Sequence, residues 1–345
     1  MKHPNIRLAF YTFVHLLVDC ACMFFVMAQI SPRIVDASTA LLMLVLYNAC
    51  AFALPALFGI VSDMLRRNHL IAALGCALVA VGYLFRNMPL WMAVCIGIGN
   101  GLYHVGSGRQ VLLDAPKRFA PCGIFIAFGA LGLYIGRKLG TAYLPASGAF
   151  CALLTLCAVL LFLLGRWEEK TPIAPAKWDG KKLLPCVTLL CFVVVIRSYY
   201  GSILRYDWNQ GIWLPLIFTL CIVAGKATGG ILADKIGYSR AALLSMACAA
   251  GFAIFSFASP VCGCISILFF NMSMPLTLSR MVRHFASAPG FAFGFLMFCL
   301  FIGILPTLLF GVRFLLSPVG LCALCLLSMA LLHLESKMGG GTDEA

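Results

Sequence analysis

Long apolar segments separated by short polar connections run along the whole chain. Each segment is continuously apolar over about 20 residues, the length of helix that crosses the hydrocarbon core of a bilayer. Lipid offers backbone polar groups no partners, so such segments form helices or a closed barrel, and their lack of alternation favours helices. The pattern predicts twelve membrane-spanning helices, over 8–30, 39–61, 69–86, 90–112, 119–139, 143–164, 183–203, 211–233, 241–258, 261–281, 288–311 and 317–334.

The longest polar connection lies in the middle of the chain, between the sixth and seventh segments. It predicts an all-α, polytopic membrane protein with two six-helix bundles, 1–164 and 183–335, joined by a cytoplasmic linker over 165–182. The last residues, 336–345, contain three consecutive glycines and are predicted to form a disordered tail.

Composition and charge agree with this picture. Hydrophobic residues make up 62% of the chain and charged residues 11%, whereas a soluble domain carries about 25% charged residues. The formal charge of +13 would suggest a nucleic-acid partner in a soluble protein, but here the basic residues lie mostly in the connections. Of the 25 Lys and Arg residues, 16 fall on one side of the predicted membrane and 6 on the other. This bias predicts a multi-pass protein of the cell membrane, with both termini cytoplasmic and no nucleic-acid partner.

The 17 cysteines are spread through the apolar segments, without a C-x-x-C pair or a Cys/His cluster. Cysteines in such surroundings behave as small apolar side chains. We therefore expect no disulfide framework, no metal site and no cofactor.

A short pattern occurs once in each half of the chain. Gly59 and Asp63 end the second segment, Gly230 and Asp234 end the eighth, and the two aspartates are 171 residues apart. A carboxylate at a helix C-terminus opposes the helix dipole, so it needs nearby cations or a neighbouring helix N-terminus. Contacts of this kind that form in one conformation and break in another would make a conformational latch; the alternative is an aspartate that only ends its helix. The residues predicted for the latch are Gly59, Asp63, Arg67, Gly230, Asp234, Lys235, Gly237 and Arg240.

The second copy of this pattern, Gly-Ile-Leu-Ala-Asp-Lys-Ile-Gly over 230–237, resembles the G-x-L-A-D-R/K-x-G loop of the major facilitator superfamily. The first copy departs from it, with Met64 where a basic residue is expected and Arg66 where glycine is expected. The resemblance implies a secondary transporter with two bundles that works by alternating access, and we expect a monomer.

Ionisable side chains inside membrane helices are functional candidates, because burying them in lipid is costly. His15 and Asp19 lie four residues apart, on one face of the first helix, with Asp19 near its middle. A desolvated carboxylate at this depth can take up and release protons near neutral pH. The alternative is a structural hydrogen bond to another helix. In the fourth segment, Asn100 and His104 share a face, and Arg109 lies further round the helix.

These two stretches resemble the fosmidomycin-resistance branch of the superfamily. That branch carries a His…Asp pattern in its first helix and a Phe-His-Pro-x-x-x-Arg-like stretch in its fourth. Here Tyr103, His104 and Arg109 correspond to the second stretch, and Val105 replaces the proline. The G-P pair typical of drug–proton antiporters does not occur in the fifth segment.

Further polar candidates lie in the second half: Arg197, Lys226 and Asn271. Arg197 could bind an anionic group or extend to the membrane surface. Basic groups outnumber acidic ones at membrane depth, which favours an anionic or amphipathic solute. The predicted substrate and proton site therefore comprises His15, Asp19, Asn100, His104, Arg109, Arg197, Lys226 and Asn271.

The sequence thus predicts a secondary active transporter for a small organic solute, coupled to protons. An enzyme is not expected, because the six histidines and twelve acidic residues form no recognisable catalytic set. Two alternatives stay open. One is a membrane sensor or assembly protein of the same fold that has lost transport, which the degraded first loop favours; the less favoured one is a multi-pass membrane enzyme.

Overall fold

The computed structural model of the chain describes residues 3–34, 36–165 and 180–339. These residues form twelve helices, some of them built from consecutive helical segments, and no strand occurs among them. The helices are α1 (Pro4–Arg33), α2 (Ala37–Leu65), α3 (Asn68–Phe85), α4 (Pro89–Asp114), α5 (Ala120–Thr141), α6 (Ser147–Leu164), α7 (Gly180–Ile203), α8 (Trp213–Ile236), α9 (Tyr238–Ala253), α10 (Pro260–His284), α11 (Pro289–Phe310) and α12 (Pro318–Met338).

Every predicted segment falls on one of these helices, so the predicted all-α fold with twelve helices is confirmed for the described residues. Nine of the helices are long and apolar enough to cross a bilayer. The other three fall short for visible reasons. α6 is apolar but short over Ser147–Leu163, and α9 has only 16 residues. α4, with 26 residues, is interrupted by polar side chains and glycines.

The helices of the second half extend slightly beyond the predicted bundle 183–335. α7 begins at Gly180, three residues before the predicted start of the second bundle, and residues 166–179 of the predicted linker 165–182 lie outside the described residues. α12 continues to Met338, which is three residues into the predicted tail 336–345. Residues 340–345 of that tail also lie outside the described part of the chain.

The described residues divide into two compact units. The first comprises residues up to 114, 128–165 and 288–298, and the second comprises 115–127, 180–287 and 299–339. The division does not follow the two halves of the sequence at two places. The first turns of α5 pack in the second unit, and the first turns of α11 pack in the first unit.

α2 contains a π-helical turn, Ala49–Ala53, immediately before Pro55. Proline has no N–H and its ring clashes with the carbonyl four residues back, so a wider turn before it avoids the clash. The segment begins at Asp36, whose carboxylate accepts a hydrogen bond from the Thr39 backbone N–H at 2.8 Å. This bond lowers the pKa of the exposed Asp36 carboxyl. α2 ends at Leu65, which places Asp63 in its last turn.

Candidate functional site

A buried polar cluster joins α1 and α4 inside the first unit. Asp19 lies between two imidazoles: its Oδ2 is 3.2 Å from His15 Nε2 and its Oδ1 is 3.7 Å from His104 Nε2. Asn100 Nδ2 donates to Asp19 Oδ1 at 3.0 Å. All four residues are at most 9% exposed. The structure therefore brings together four of the eight residues that the sequence predicts for the substrate and proton site.

The hydrogen bonds of His104 fix which of its ring nitrogens faces Asp19. His104 Nδ1 lies 2.9 Å from the backbone carbonyl oxygen of Asn100, and a carbonyl can only accept, so Nδ1 carries the hydrogen. Nε2 then faces Asp19 with a lone pair when the ring is neutral. The His15 and His104 rings meet edge to face, with centroids 4.5 Å apart. A proton on any of these three groups changes the charge that the other two experience, because they are in direct contact.

α5 closes over this cluster at Gly129. A Cβ at this position would meet Asp19 Oδ2 and His15 Nε2, both at 2.5 Å, which is too short for any side chain. Only glycine lets α5 pack directly against the carboxylate and the imidazole. The cluster is therefore enclosed by a helix backbone on that side.

The donor atoms also have the chemistry of a metal site. One ligand atom each from His15, Asp19 and His104 lies within 4.8 Å of the others, and imidazole and carboxylate suit several divalent transition metals. A second set of this kind, Cys186, His284 and Glu335, lies in the second unit. The expectation from the sequence, that there is no metal site, stays a prediction.

The first predicted latch aspartate binds the start of another helix. Asp63 accepts backbone hydrogen bonds from Gly290 at 2.9 Å and from Phe291 at 2.8 Å, in the first turn of α11. The carboxylate also accepts from Arg109 Nε at 2.7 Å. Asp63 at the C-terminal end of α2 therefore has both forms of compensation, a cation and a helix N-terminus.

The structure places Arg109 with the latch and not with the Asp19 cluster. Its Nη1 donates to Asn68 Oδ1 at 2.8 Å, and the side chain is 2% exposed. From there a chain of hydrogen bonds continues: Asn68 Nδ2 donates to Gln110 Oε1 at 2.7 Å, and Gln110 Nε2 donates to Asp114 Oδ1 at 2.9 Å.

Arg7 ends this network with two hydrogen bonds to Asp114, at 2.7 and 2.9 Å. Sequence reasoning missed Asn68, Gln110 and Asp114 as parts of the site. The available signal was their spacing, because Gln110 and Asp114 share one face of α4 close to Arg109.

The second latch repeats the first within the second unit. Asp234, in the last turn of α8, accepts backbone hydrogen bonds from Phe119 at 2.7 Å and from Ala120 at 3.1 Å, where α5 begins. The ion pair of Asp234 is longer and more exposed than that of Asp63. Arg118 Nε lies 3.5 Å from Asp234 Oδ2, and the Arg118 side chain is 69% exposed.

The aspartates of the two latches and their backbone partners are related by the same offset of 171 residues. It relates Phe119 to Gly290 and Ala120 to Phe291, as it relates Asp63 to Asp234. The two halves of the chain therefore repeat the contact and not only the motif.

Glycines make both contacts possible. A Cβ on Gly59 would clash with the Gly290 carbonyl, and a Cβ on Gly230 would clash with the Phe119 carbonyl. These two glycines are also 171 residues apart. Each lets the last turns of one helix approach the backbone at the start of another, which brings the aspartate within reach of the N–H groups.

The remaining residues predicted for the latch lie at helix ends. Arg67 precedes α3, and Lys235 is in the last turn of α8. Gly237 has a φ of 86° between α8 and α9. Arg240 lies in the first turn of α9 with an exposed side chain.

The candidates of the second half all lie in the second unit. Arg197 Nε on α7 is buried and has no hydrogen-bond partner in the described part of the chain. Lys226 Nζ lies 3.5 Å from the Ile126 carbonyl. Asn271 Nδ2 donates to the Ile267 carbonyl at 2.9 Å. The hydroxyls of Tyr199 and Tyr200, which follow Arg197 closely in sequence, are likewise buried without a partner among the described residues.

No protein-family model and no curated protein matches this sequence. Solved structures do match the fold. The fucose:proton symporter of E. coli superposes with a TM-score of 0.71 at 13% identity, covering 98% of this chain and 100% of the symporter. The human organic anion transporter MFSD10 gives a TM-score of 0.65 at 16% identity, with coverage of 96% and 100%.

A bacterial homologue of the iron transporter ferroportin gives a TM-score of 0.62 at 13% identity, with coverage of 96% and 98%. The likeness extends over nearly the full length of each chain. At these identities it establishes the fold alone: the chain has the two-bundle fold of the major facilitator transporters.

Proposed function

We propose that this protein is a proton-coupled secondary transporter of the major facilitator superfamily, which moves a small organic solute across the cell membrane by alternating access. The observation that carries the proposal is the enclosed cluster of Asp19, His15, His104 and Asn100 in the middle of α1 and α4. An ionisable cluster at this depth is costly to the fold, and function is the usual reason for it.

The chemistry of the cluster suits a carrier of protons. With one proton shared between Asp19 and an imidazole, the carboxylate and the imidazolium neutralise each other; after the proton leaves, the cluster holds one negative charge. Burial disfavours the charged cluster, whereas contact with water or with a cationic group favours it. A change of conformation that alters this exposure therefore drives proton uptake or release.

The two latches account for the change of conformation that alternating access requires. The contacts of Asp63 and Asp234 join helix ends through charge and backbone hydrogen bonds, which can break and reform as units. We assign them the role of stabilising one of the two alternating states. Arg109 belongs to this machinery and not to the proton site.

The substrate class follows from Arg197. The Arg197 guanidinium on α7 has a buried Nε without a partner among the described residues. It suits an anionic group of the solute, because a charge-assisted hydrogen bond would satisfy it. The structural neighbours include a fucose:proton symporter and an organic anion transporter. The resemblance to the fosmidomycin-resistance branch makes a phosphonate the first anion to test.

Transport by the purified protein in proteoliposomes tests the proposal. Counterflow and pH-gradient-driven uptake would be measured for fosmidomycin, L-fucose and a panel of aliphatic organic anions. We expect at least one solute to be transported and the gradient to increase its accumulation. Asp19→Asn should abolish the increase while leaving solute exchange in the absence of a gradient largely intact.

Two controls make the outcome decisive. His69→Gln alters a histidine of α3 outside the cluster and should keep gradient-driven transport. Addition of a chelator should leave transport unchanged, whereas its loss would show that the cluster works with a metal ion. A folded protein that transports no solute under any gradient would support the alternative of a sensor or assembly protein.

A further inference from the structure

A large basic cavity opens next to the second latch. It shares Asp234, Lys235, Gly237 and Arg240 with the predicted latch, but the proposed transport function assigns it no ligand. Its volume is about 1320 Å³, and it lies wholly within the second unit, between the loop before α5 and the ends of α8, α10 and α12. One lining cation, Arg280, is paired with Glu335. Six further cations line the cavity: Lys117, Arg118, Lys235, Arg240, Arg283 and Lys337.

Negative charge on the wall is far too small to balance these cations. Among the described residues that line the cavity, Asp234 is the single acid, and both of its oxygens already accept backbone hydrogen bonds. Glu335 lies behind the wall, but it accepts from Arg280 Nε at 2.8 Å and lies 2.7 Å from His284 Nε2. The cavity therefore concentrates positive charge in a concave surface, where the field of several cations adds up.

The first unit provides an internal comparison, because its latch is built on the same repeat. The cavity beside Asp63 has a volume of about 550 Å³, and Arg66 is its one cation among the described lining residues. Four of the six cations are replaced by apolar residues at the positions 171 residues away, namely Ala288, Pro289, Met64 and Leu112. The backbone hydrogen bonds of the latch form in both units, so Lys117, Lys235 and Arg283 are not needed to form them.

From this difference we infer that the basic cavity is a binding site for a phosphate-bearing anion, either the headgroup of an anionic phospholipid or a soluble polyphosphate. Basic pockets between membrane helices at the cytoplasmic surface bind such headgroups, and the proposed orientation puts this cavity there. Its size exceeds that of an ordinary small-molecule pocket of about 300–1,000 Å³, which suits a ligand with more than one phosphate.

Binding to the full-length protein tests this inference. The variant Arg283→Gln/Lys337→Gln removes two cations of the cavity and substitutes no latch residue. Arg283 also donates to the Lys117 carbonyl and lies over the Phe119 ring, so the hydrogen bonds of Phe119 to the latch are checked by the charge-preserving variant below. The matched control Arg66→Gln/Arg67→Gln removes two exposed cations from the same predicted side of the membrane in the first unit. The probes are cardiolipin, added to protein in phosphatidylcholine nanodiscs, and inorganic pyrophosphate, added to protein in a non-ionic detergent.

We expect the affinity of wild-type protein for at least one probe to fall roughly 30-fold in the cavity variant and to stay within about 3-fold in the control. A change with cardiolipin alone identifies a lipid as the ligand, and a change with pyrophosphate alone identifies a soluble anion. The charge-preserving variant Arg283→Lys/Lys337→Arg should retain binding, which separates loss of charge from loss of fold. Equal losses in the cavity variant and the control, or no binding of either probe by wild-type protein, would overturn the inference.

Discussion

Arg109 and Arg280 occupy equivalent positions of the repeat, 171 residues apart, yet the carboxylates that they bind are not equivalent in the repeat. Arg109 donates from Nε to the latch residue Asp63 at 2.7 Å, whereas Arg280 donates from Nε to Glu335 on α12 at 2.8 Å. The first latch therefore contains a buried cation, whereas in the second the exposed Arg118 lies beside the carboxylate. The same backbone contact is made in both units with unequal electrostatic support.

This asymmetry predicts that the two latch aspartates contribute unequally to stability. Asp63→Asn leaves the guanidinium of Arg109 buried without its anion, and breaking a buried pair in this way costs about 3–5 kcal/mol. Asp234→Asn loses mainly the interaction of a charge with a helix N-terminus, worth about 1 kcal/mol. Thermal unfolding of the purified variants in detergent should show the larger decrease for Asp63→Asn.

A double variant provides the control for that comparison. Arg109→Gln in the Asp63→Asn background removes the unpaired buried charge, so the pair of changes should destabilise the protein by clearly less than the two single changes added together. Equal decreases for Asp63→Asn and Asp234→Asn, or strict additivity in the double variant, would contradict the asymmetry.

The close approach of α2 to the start of α11 predicts a sharp effect at Gly59. Gly59→Ala places a methyl group against the Gly290 carbonyl, so the helices must separate and the hydrogen bonds to Asp63 must weaken. We expect a lower melting temperature. Gly251→Ala in α9 is the matched control, because a Cβ there meets nothing within 4 Å, and alanine is favoured over glycine in helices by about 1 kcal/mol. Destabilisation by both changes alike would argue against a tight helix contact.

The enclosed cluster predicts a functional effect at Gly129. A methyl group there displaces Asp19 or His15, since both lie against the position of the new Cβ. Gly129→Ala should therefore shift the pH dependence of transport or uncouple it from the proton gradient, and the protein should still assemble in the membrane. The measurement is the pH profile of solute counterflow against that of Gly251→Ala. Identical profiles would show that α5 does not constrain the cluster.

The orientation proposed from the charge bias predicts a cytoplasmic C-terminus. Green fluorescent protein fused after the last residue should fluoresce, because it folds in the cytoplasm but fails to do so when exported unfolded. The same reporter fused after Arg33, in the predicted outer connection between the first two helices, should stay dark. Fluorescence from the second fusion and not the first would reverse the proposed topology.

The sequence by itself determined the helices. Lipid forces apolar segments into helices whatever their neighbours are, so the twelve helices of the described residues could be predicted from the pattern of apolar segments along the chain. The repeat, too, was visible in sequence, because duplicated helix ends keep the same glycine and aspartate spacing at Gly59 and Asp63 as at Gly230 and Asp234. His15 and Asp19 could be placed on one face because they share one helix.

Only the tertiary structure decided which helix each polar residue meets. Arg109 and His104 are five residues apart on α4, but one binds Asp63 of α2 and the other faces Asp19 of α1. The partners of Asp63 could not be read from its surroundings in sequence either, because they are backbone N–H groups of α11, more than 220 residues away. Backbone groups carry no sequence signal, and the direction in which a side chain leaves its helix has meaning only once the neighbouring helices are packed against it.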